Sequence, residues 1–243
     1  MEPMDFSPNA DHEAIREGIQ RICADFPDEY WLQKDTDHEF PWDFYDKLAE
    51  GGWVGMAIPT EYGGGGQGIT EASIMLEEIA ASGAAMNGCS AVHLSVFGME
   101  PVRKYGSPEL VAEVLPRVAS GELHVAFGVT EPDAGTDTTQ IKTRAERDGD
   151  EYVINGAKVW TTKAPHCEMC LLLVRTTPIE ECESRTDGIS LLLVDLQDPA
   201  VEITPIPKLG RNAVVSCEVR YDNLRVPASR LIGDEGKGFR YIL

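Results

Sequence analysis

The protein has 243 residues, of which 42% are hydrophobic, and this is enough to build a buried core in one or two globular domains. Its formal charge of −20 argues against a nucleic-acid partner, and no apolar run reaches the length that crosses a bilayer. The acidic excess predicts either adaptation to a high-salt cytosol, where ions screen self-repulsion, or an ordinary acidic mesophilic protein.

The part of the chain before Gly121 predicts helices. After Asp11, the expected N-cap, Ile15, Ile19, Ile22 and Phe26 recur at helical spacing. Further helices are expected to begin at Pro41 with Phe44 and Leu48 on one face, to begin at Thr70, to run from Cys89 to Lys104, and to run from Ser107 to Gly121. The glycines at 63–66 favour a flexible connection over a phosphate-binding loop, because no Gly-Lys-Ser/Thr follows them.

After Gly121 the pattern becomes typical of short strands. Asp148-Gly149 and Asn155-Gly156 each predict a two-residue hairpin turn. The predicted strands cover residues 124–129, 141–147, 151–154, 157–162, 171–175, 190–195, 201–206 and 217–221. Hairpins joined this closely favour an antiparallel barrel or sandwich over a parallel dinucleotide-binding sheet. Residues 176–187 are expected to form a polar surface loop.

The segment after the first predicted strand can bind a ligand. Its sequence is Phe127-Gly128-Val129-Thr130-Glu131-Pro132-Asp133-Ala134-Gly135-Thr136. Gly135 lets the backbone approach a ligand closely, and successive turn amides can hold an anion such as a pyrophosphate. Thr130 and Thr136 add hydroxyl donors. Taken alone, the segment is more typical of a plain polar turn than of a ligand-binding site.

A second segment places an indole among hydroxyl groups. It reads Lys158-Val159-Trp160-Thr161-Thr162. A tryptophan at a strand end can stack on a planar ring while a neighbouring hydroxyl bonds the ring edge. A tryptophan in the hydrophobic core is the alternative interpretation, and it is the commoner case for an isolated residue.

Together the two segments resemble the acyl-CoA dehydrogenase family. The first resembles the family pattern Val-Thr-Glu-Pro, a spacer, then Gly-Ser/Thr-Asp, and the second resembles its Lys-x-Trp-x-Thr/Ser strand. Two more segments resemble the family and occur in the family's order. They are residues 53–64, which end in Tyr62-Gly63-Gly64, and residues 208–227, which begin with Lys208-Leu209-Gly210. In the latter, Asn212 and Val214 stand where the family usually has Arg and Ser.

The resemblance implies an α+β fold with a helical N-terminal domain over residues 1–121 and an antiparallel β-barrel middle domain over 122–228. Residues 229–243 would be the start of a truncated C-terminal helical domain. FAD is the implied cofactor, lined by residues 127–136 and 160–162. Thr130 would reach the ring edge, Trp160 would pack against the ring, and Thr162, next to Thr161, would bond near flavin N5. Thr136 would contact both flavin and thioester substrate.

The implied activity is oxidation of an acyl-CoA thioester to trans-2-enoyl-CoA, with hydride transfer to flavin N5 and electrons passed to an electron-transfer flavoprotein. The family's catalytic Glu is expected beyond Leu243, so no residue is nominated as the base and this chain alone is expected to be inactive. Glu131 is expected to bond backbone amides instead. A homotetramer is implied for the full-length protein. A same-fold flavin oxidase or monooxygenase and a non-catalytic flavin-binding remnant stay open as alternatives.

The remaining signals are weaker. His166-Cys167-Glu168-Met169-Cys170 lacks the second ligand pair that structural zinc needs, so no metal site is predicted. The six cysteines are scattered and indicate reduced thiols. The acidic stretch from Met1 to Asp11 has no apolar core, which predicts a cytoplasmic protein without a secretory signal. His93 is expected to be a hydrogen-bonded core residue, and His124 is either core or exposed.

Overall fold

The computed structural model describes residues 9–243, so most of the stretch on which the secretory-signal prediction depends lies outside the described residues. Helices come first and strands follow. The helices are α1 (Ala10–Cys23), α2 (Asp28–Asp37), α3 (Trp42–Glu50), α4 (Ile69–Ile79), α5 (Ala85–Val96), α6 (Glu100–Tyr105), α7 (Pro108–Ala119) and α8 (Gly238–Tyr241). The strands are β1 (Val125–Gly128), β2 (Arg144–Asp148), β3 (Glu151–Thr162), β4 (Met169–Arg175), β5 (Ile189–Asp195), β6 (Val201–Pro205), β7 (Ser216–Pro227) and β8 (Leu231–Ile232).

Two predicted helix starts were wrong. The N-cap of α1 is Asn9, whose side chain accepts a hydrogen bond from the His12 amide, and Asp11 lies in the first turn, where an acidic side chain suits the helix dipole. Helix α4 begins one residue before Thr70. There the Glu71 carboxylate accepts a hydrogen bond from the Gly68 amide at 2.9 Å.

The predicted helix from Cys89 to Lys104 is two helices. The chain breaks between α5 and α6 at Phe97-Gly98, where a Cβ on Gly98 would lie 2.5 Å from the Leu94 carbonyl oxygen. Helix α2 was missed because its only buried residue is Trp31, which leaves no apolar periodicity to detect. The α7 prediction is confirmed at both ends, since the Ser107 hydroxyl accepts from the Leu110 amide and Gly121 has φ +82°.

The α+β class and the order of helical part and sheet are confirmed, but the sheet is mixed and its strand path does not close into a barrel. The strands follow the order β6-β7-β3-β2-β4-β5-β8, and β1 pairs in parallel with β4. The pairing of β2 with β4 is also parallel. The prediction of a purely antiparallel barrel came from the hairpins, which report only neighbouring strands and carry no information on these long-range pairs.

The second predicted hairpin does not exist. Strand β3 runs straight through Asn155-Gly156, where a register shift against β7 marks a β-bulge. Gly156 has φ +150°, and a Cβ there would lie 2.5 Å from the Thr143 hydroxyl. The Asn155 side chain accepts a hydrogen bond from the Asn223 amide in β7 at 2.9 Å. The first hairpin is confirmed, with Asp148 paired to Glu151.

The central residues of β4 and β5, 170–174 and 191–194, are apolar because both faces of these strands are covered. Leu171, Leu191 and Leu193 pack with α7 residues such as Leu115 and Val118 in one core cluster. Leu172 and Val194, on the other face, pack with Ile154, Val219 and Leu224 of β3 and β7. Strands β4 and β5 therefore lie between the helical part of the chain and strands β3 and β7.

No disulfide forms among the described cysteines, which are all free thiols. Within residues 9–243, none of the helices combines the length and the apolar character needed to cross a membrane.

Candidate functional site

The two ligand-binding segments lie side by side. The amide of Val159 in β3 donates a hydrogen bond to the Thr130 carbonyl oxygen at 2.8 Å. The Lys158 ammonium group donates to the Val129 carbonyl oxygen at 3.0 Å. The segment of residues 127–136, which begins in β1, therefore lies beside the end of β3, which is at Thr162.

A buried ion pair holds the turn that follows β1. The Glu131 carboxylate accepts from the Lys158 ammonium group at 2.8 Å, and the exposed fractions of the two side chains are 6% and 0%. It also accepts from the backbone amides of Lys142 at 2.6 Å and Thr143 at 2.9 Å. The prediction that Glu131 bonds backbone amides is confirmed, while its partner Lys158 was missed.

The same pair fixes the charge state of both groups. Burial alone raises the pKa of Glu131, but the Lys158 charge and the three donated hydrogen bonds outweigh burial and hold that pKa below its ordinary value. Burial lowers the pKa of Lys158 to about 8, and the Glu131 carboxylate limits this fall. Both groups are therefore ionised near neutral pH, and Glu131 is not free to act as a base.

Beyond Glu131 the turn is small and open. The Glu131 amide donates to the Ala134 carbonyl oxygen at 3.0 Å, and the Ala134 amide donates back at 3.2 Å. Gly135 and Thr136 are exposed, and a Cβ on Gly135 would meet no atom within 4 Å. A ligand can thus approach this backbone closely.

The Trp160 indole is turned outward by the backbone. A second register shift between Lys158 and Thr161 forms another β-bulge, and Trp160 sits in it with φ +63°. A left-handed conformation costs a bulky residue about 1–2 kcal/mol. The side chain is 54% exposed, whereas Thr161 beside it is buried. Strain at a largely exposed tryptophan points to a function, because less than half of its surface is buried to offset the cost.

The residues present fit a flat heteroaromatic ring with a polar edge. Trp160 offers an exposed aromatic face. The Thr161 hydroxyl is buried and has no hydrogen-bond partner among the described residues. The Thr162 hydroxyl lies at the end of the strand and is partly exposed. FAD could be held here by Trp160 on the ring, by Thr130 and Thr162 at its edge, and by the Gly135-Thr136 backbone at the pyrophosphate.

Lys163, directly after Thr162, was not predicted to matter. It is fully buried, and its φ is +53°. Its amide donates to the Val215 carbonyl oxygen at 2.8 Å, and its side-chain nitrogen donates to the Ala91 carbonyl oxygen of α5 at 3.2 Å. Burial lowers the pKa of this amine. Lys163 therefore ties the end of β3 to the helical part of the chain.

Two histidines beside Lys163 are neutral. His124 is 6% exposed and packs 4.4 Å from the Tyr45 ring; burial and the Lys163 charge lower its pKa to about 3. His93 bonds the Cys89 carbonyl oxygen through Nδ1 at 3.2 Å, and burial lowers its pKa to about 4. The hydrogen bond expected of His93 is confirmed, but the residue is only partly buried, whereas His124 is resolved as core.

The segment after Lys208 packs against the helices. The Asn212 side chain donates to the Asp35 carboxylate of α2 at 3.2 Å, and Val214 is fully buried in the helical core. Arg211, with φ +60°, donates to the hydroxyls of Ser90 at 3.0 Å and Ser216 at 2.6 Å. Asn212 and Val214, which depart from the family pattern, thus contribute to the contact between the helices and the sheet.

Across the described part of the chain, no group of three or more His, Cys, Asp or Glu side chains has the arrangement of a metal site. Cys167 and Cys170 are both buried, and burial raises the pKa of each thiol to about 12, which leaves them protonated.

Two family models match the sequence. The model described as acyl-CoA dehydrogenase, N-terminal domain, matches residues 9–122, and the model described as acyl-CoA dehydrogenase, middle domain, matches residues 126–224. The chain is 31% identical over 237 residues to the acyl-CoA dehydrogenase fadE12 of Mycobacterium bovis, covering 98% of this chain and 60% of that protein.

Solved structures of similar fold include the following two. A probable acyl CoA dehydrogenase from Mycobacterium abscessus is similar with a TM-score of 0.89 and 28% identity, covering 96% of this chain and 61% of that chain. A chain in a structure described as the electron transferring flavoprotein of Acidaminococcus fermentans is similar with a TM-score of 0.88 and 26% identity, covering 98% of this chain and 62% of that chain. The present chain spans about 60% of the length of these relatives.

Proposed function

Because this chain belongs to the acyl-CoA dehydrogenase family, as its motifs predicted, we propose that it takes part in the FAD-dependent oxidation of an acyl-CoA thioester to the trans-2-enoyl-CoA. The observation that supports this most is the pair of adjoining segments, one braced by Glu131 and one presenting Trp160 outward. The boundaries at residues 121 and 228, and the cofactor-binding role of residues 127–136 and 160–162, are part of the same proposal.

Each residue of the site has a physical task in this proposal. Trp160 packs against the ring, which excludes water from one of its faces. The hydroxyls of Thr130 and Thr162 orient the ring edge. Thr136 donates to both flavin and thioester. FAD, when bound, accepts the hydride that leaves the β-carbon, and the protein contributes orientation and electrostatics.

The reaction also needs a carboxylate to take the α-proton. Glu131 is committed to Lys158 and two amides, and Asp137 is committed to Arg185 and Thr139. We therefore propose that the base lies in sequence that aligns with the remaining part of the longer relatives. The chain spans about 60% of their length.

We predict that the isolated 243-residue chain oxidises butyryl-, octanoyl- and isovaleryl-CoA slowly or not at all. The reason is that the described carboxylates of the proposed turn, those of Glu131, Asp133 and Asp137, are each paired with a cation. The measurement is an anaerobic assay with an artificial electron acceptor, with the full-length protein as the positive control. Turnover by the isolated chain at the rate of the full-length protein would contradict the prediction.

For the electron acceptor we propose an electron-transfer flavoprotein, supported by the similarity to a chain in a structure described as an electron transferring flavoprotein. Reduction of the loaded full-length protein by acyl-CoA without oxygen, followed by admission of air, separates this from an oxidase. Slow reoxidation is expected, and rapid peroxide release would favour the same-fold oxidase or monooxygenase.

A homotetramer is part of the proposal and is checked by the mass of the full-length protein in solution.

We also propose that the protein works in a high-salt cytoplasm, because a charge of −20 makes the folded chain repel itself. Raising the salt from 0.1 M to 1 M shortens the screening length from about 10 Å to about 3 Å. The thermal midpoint is expected to rise clearly over this range in a chloride salt. A midpoint that does not change between these concentrations would remove the idea.

A further inference from the structure

Two cations beside the proposed flavin site have no carboxylate partner. Many lysines and arginines of the described chain pair with Asp or Glu within 4.0 Å, as Lys158 and Arg220 do. Lys208 and Arg211 have no such partner among the residues that the structure describes. Half-buried charges without counter-ions cost free energy, and here backbone carbonyls and hydroxyls take the place of carboxylates.

The two cations converge on one strand end. The Lys208 ammonium group donates to the carbonyl oxygens of Arg211 and Val214, both at 2.8 Å, and to the Ser216 hydroxyl at 3.3 Å. Arg211 donates to the same Ser216 hydroxyl at 2.6 Å. Ser216 is paired with Thr162 across β7 and β3. Both charges therefore act on the residue proposed to bond the ring edge.

Neighbouring groups cancel this charge only in part. Asp35 is the carboxylate on the helical side; it accepts from the side-chain amides of Asn87 at 3.1 Å and Asn212 at 3.2 Å, and its negative charge offsets part of the Lys208 charge. On the other side, the Arg211 and Lys163 charges contribute, after burial, to lowering the pKa of His93 to about 4. Burial lowers the pKa of Lys208 to about 8, which leaves it mainly protonated at pH 7.

We propose that Lys208 and Arg211 form an electrostatic receptor for the negative charge that the flavin ring gains on reduction. This rests on the proposed function. Hydride brings two electrons and one proton from the β-carbon to a neutral ring, so the ring gains one negative charge, while the α-proton goes to the base. Lys208 and Arg211 bond the hydroxyl of Ser216, which is paired with Thr162, and their charge favours the charged form of the ring. They are positioning residues, since they act through Ser216 and Thr162.

The test is the two-electron midpoint potential of FAD in the full-length protein. Arg211→Gln keeps hydrogen-bonding capacity and removes the charge, and Lys208→Met removes the other charge. Each is expected to weaken binding of reduced relative to oxidised FAD about tenfold, which corresponds to a potential lower by about 30 mV. Arg211→Lys is expected to restore most of the loss, because it restores the charge. Arg220→Gln, on the strand that carries Ser216 but paired with Glu218, is the matched control and should leave the potential unchanged.

The outcomes separate the two proposals. If FAD binds and the potentials of Arg211→Gln and Lys208→Met equal that of Arg220→Gln, the receptor is overturned and the proposed function stands. If Arg211→Lys lowers the potential as much as Arg211→Gln does, the role is structural and the receptor is likewise overturned. If the unaltered full-length protein binds no FAD, the proposed function falls and takes the receptor with it. Thermal midpoints of the variants show whether each one is folded.

Discussion

Replacement of Lys158 by methionine is expected to lower the free energy of unfolding by about 3–5 kcal/mol, because it leaves the Glu131 carboxylate buried without a counter-charge. Glu131→Gln is expected to have an effect of similar size, since it leaves the fully buried ammonium group unpaired. Urea or guanidinium unfolding monitored by circular dichroism measures both. The double variant should lose less than the sum of the single losses, by about 1–3 kcal/mol, because neither charge is then left alone.

Lys142→Met is the matched control. Lys142 pairs with Asp133 at 3.5 Å, with both side chains largely exposed, and its loss should change the free energy of unfolding by less than about 0.5 kcal/mol. Equal effects of Lys158→Met and Lys142→Met would contradict the assignment of the buried pair.

Acid should act on the same ion pair. The pKa of Glu131 in the folded protein is held below its ordinary value of 4.5, so the unfolded chain binds its proton first as the pH falls. The stabilisation is therefore complete above pH 4.5 and is lost as the pH falls through the folded-state value. The unfolding free energy of the unaltered chain should fall more steeply below this pH than that of Glu131→Gln. Parallel pH profiles would show that Glu131 is not the group responsible.

Replacement of Trp160 by glycine is expected to weaken cofactor binding more than it weakens folding. Loss of an aromatic face that stacks on a planar ring costs about 1–3 kcal/mol, which corresponds to FAD binding weakened about 10–100-fold. The stability of the cofactor-free protein should change by less than about 1 kcal/mol, because glycine accepts φ +63° without strain and this offsets the loss of the buried part of a side chain that is 54% exposed. Titration of the full-length apoprotein with FAD, together with thermal unfolding, measures both.

Trp160→Phe keeps an aromatic face and is the control; it should retain most of the affinity for FAD. A glycine variant that unfolds at lower temperature and binds FAD normally would mean that Trp160 is a structural residue. In that case, the indole would have no part in the site.

Features with local causes could be predicted from the sequence. Ser107-Pro108 and Gly121 bound helix α7, and Asp148-Gly149 forms its hairpin, because capping and turn chemistry depend on a few adjacent residues. Asn155-Gly156 carries the same turn signal. Its side chain and backbone instead serve a bulge against Asn223, a residue far along the chain. The parallel pairing of β1 with β4 has no local signal at all.

In the candidate site, too, local features could be predicted and features that depend on distant residues could not. Taken alone, residues 127–136 favoured a polar turn and Trp160 a core residue, and ligand binding was implied only by the family resemblance. The hydrogen bonds from backbone amides to Glu131 were predicted. The bulge between Lys158 and Thr161 reverses the alternation of β3, so Trp160 faces outward while Thr161 and Lys163 are buried. A strand pattern without that bulge would place the indole in the core. The burial of Lys158 and Lys163 could not be predicted, since their partners come from distant segments.

A crystal structure of the full-length protein with FAD tests the main proposal most directly. The isoalloxazine ring should lie against the Trp160 indole, with its edge within hydrogen-bond reach of Thr162 and its pyrophosphate over the Gly135-Thr136 turn. A bound FAD that contacts neither Trp160 nor residues 130–136 would contradict the assignment.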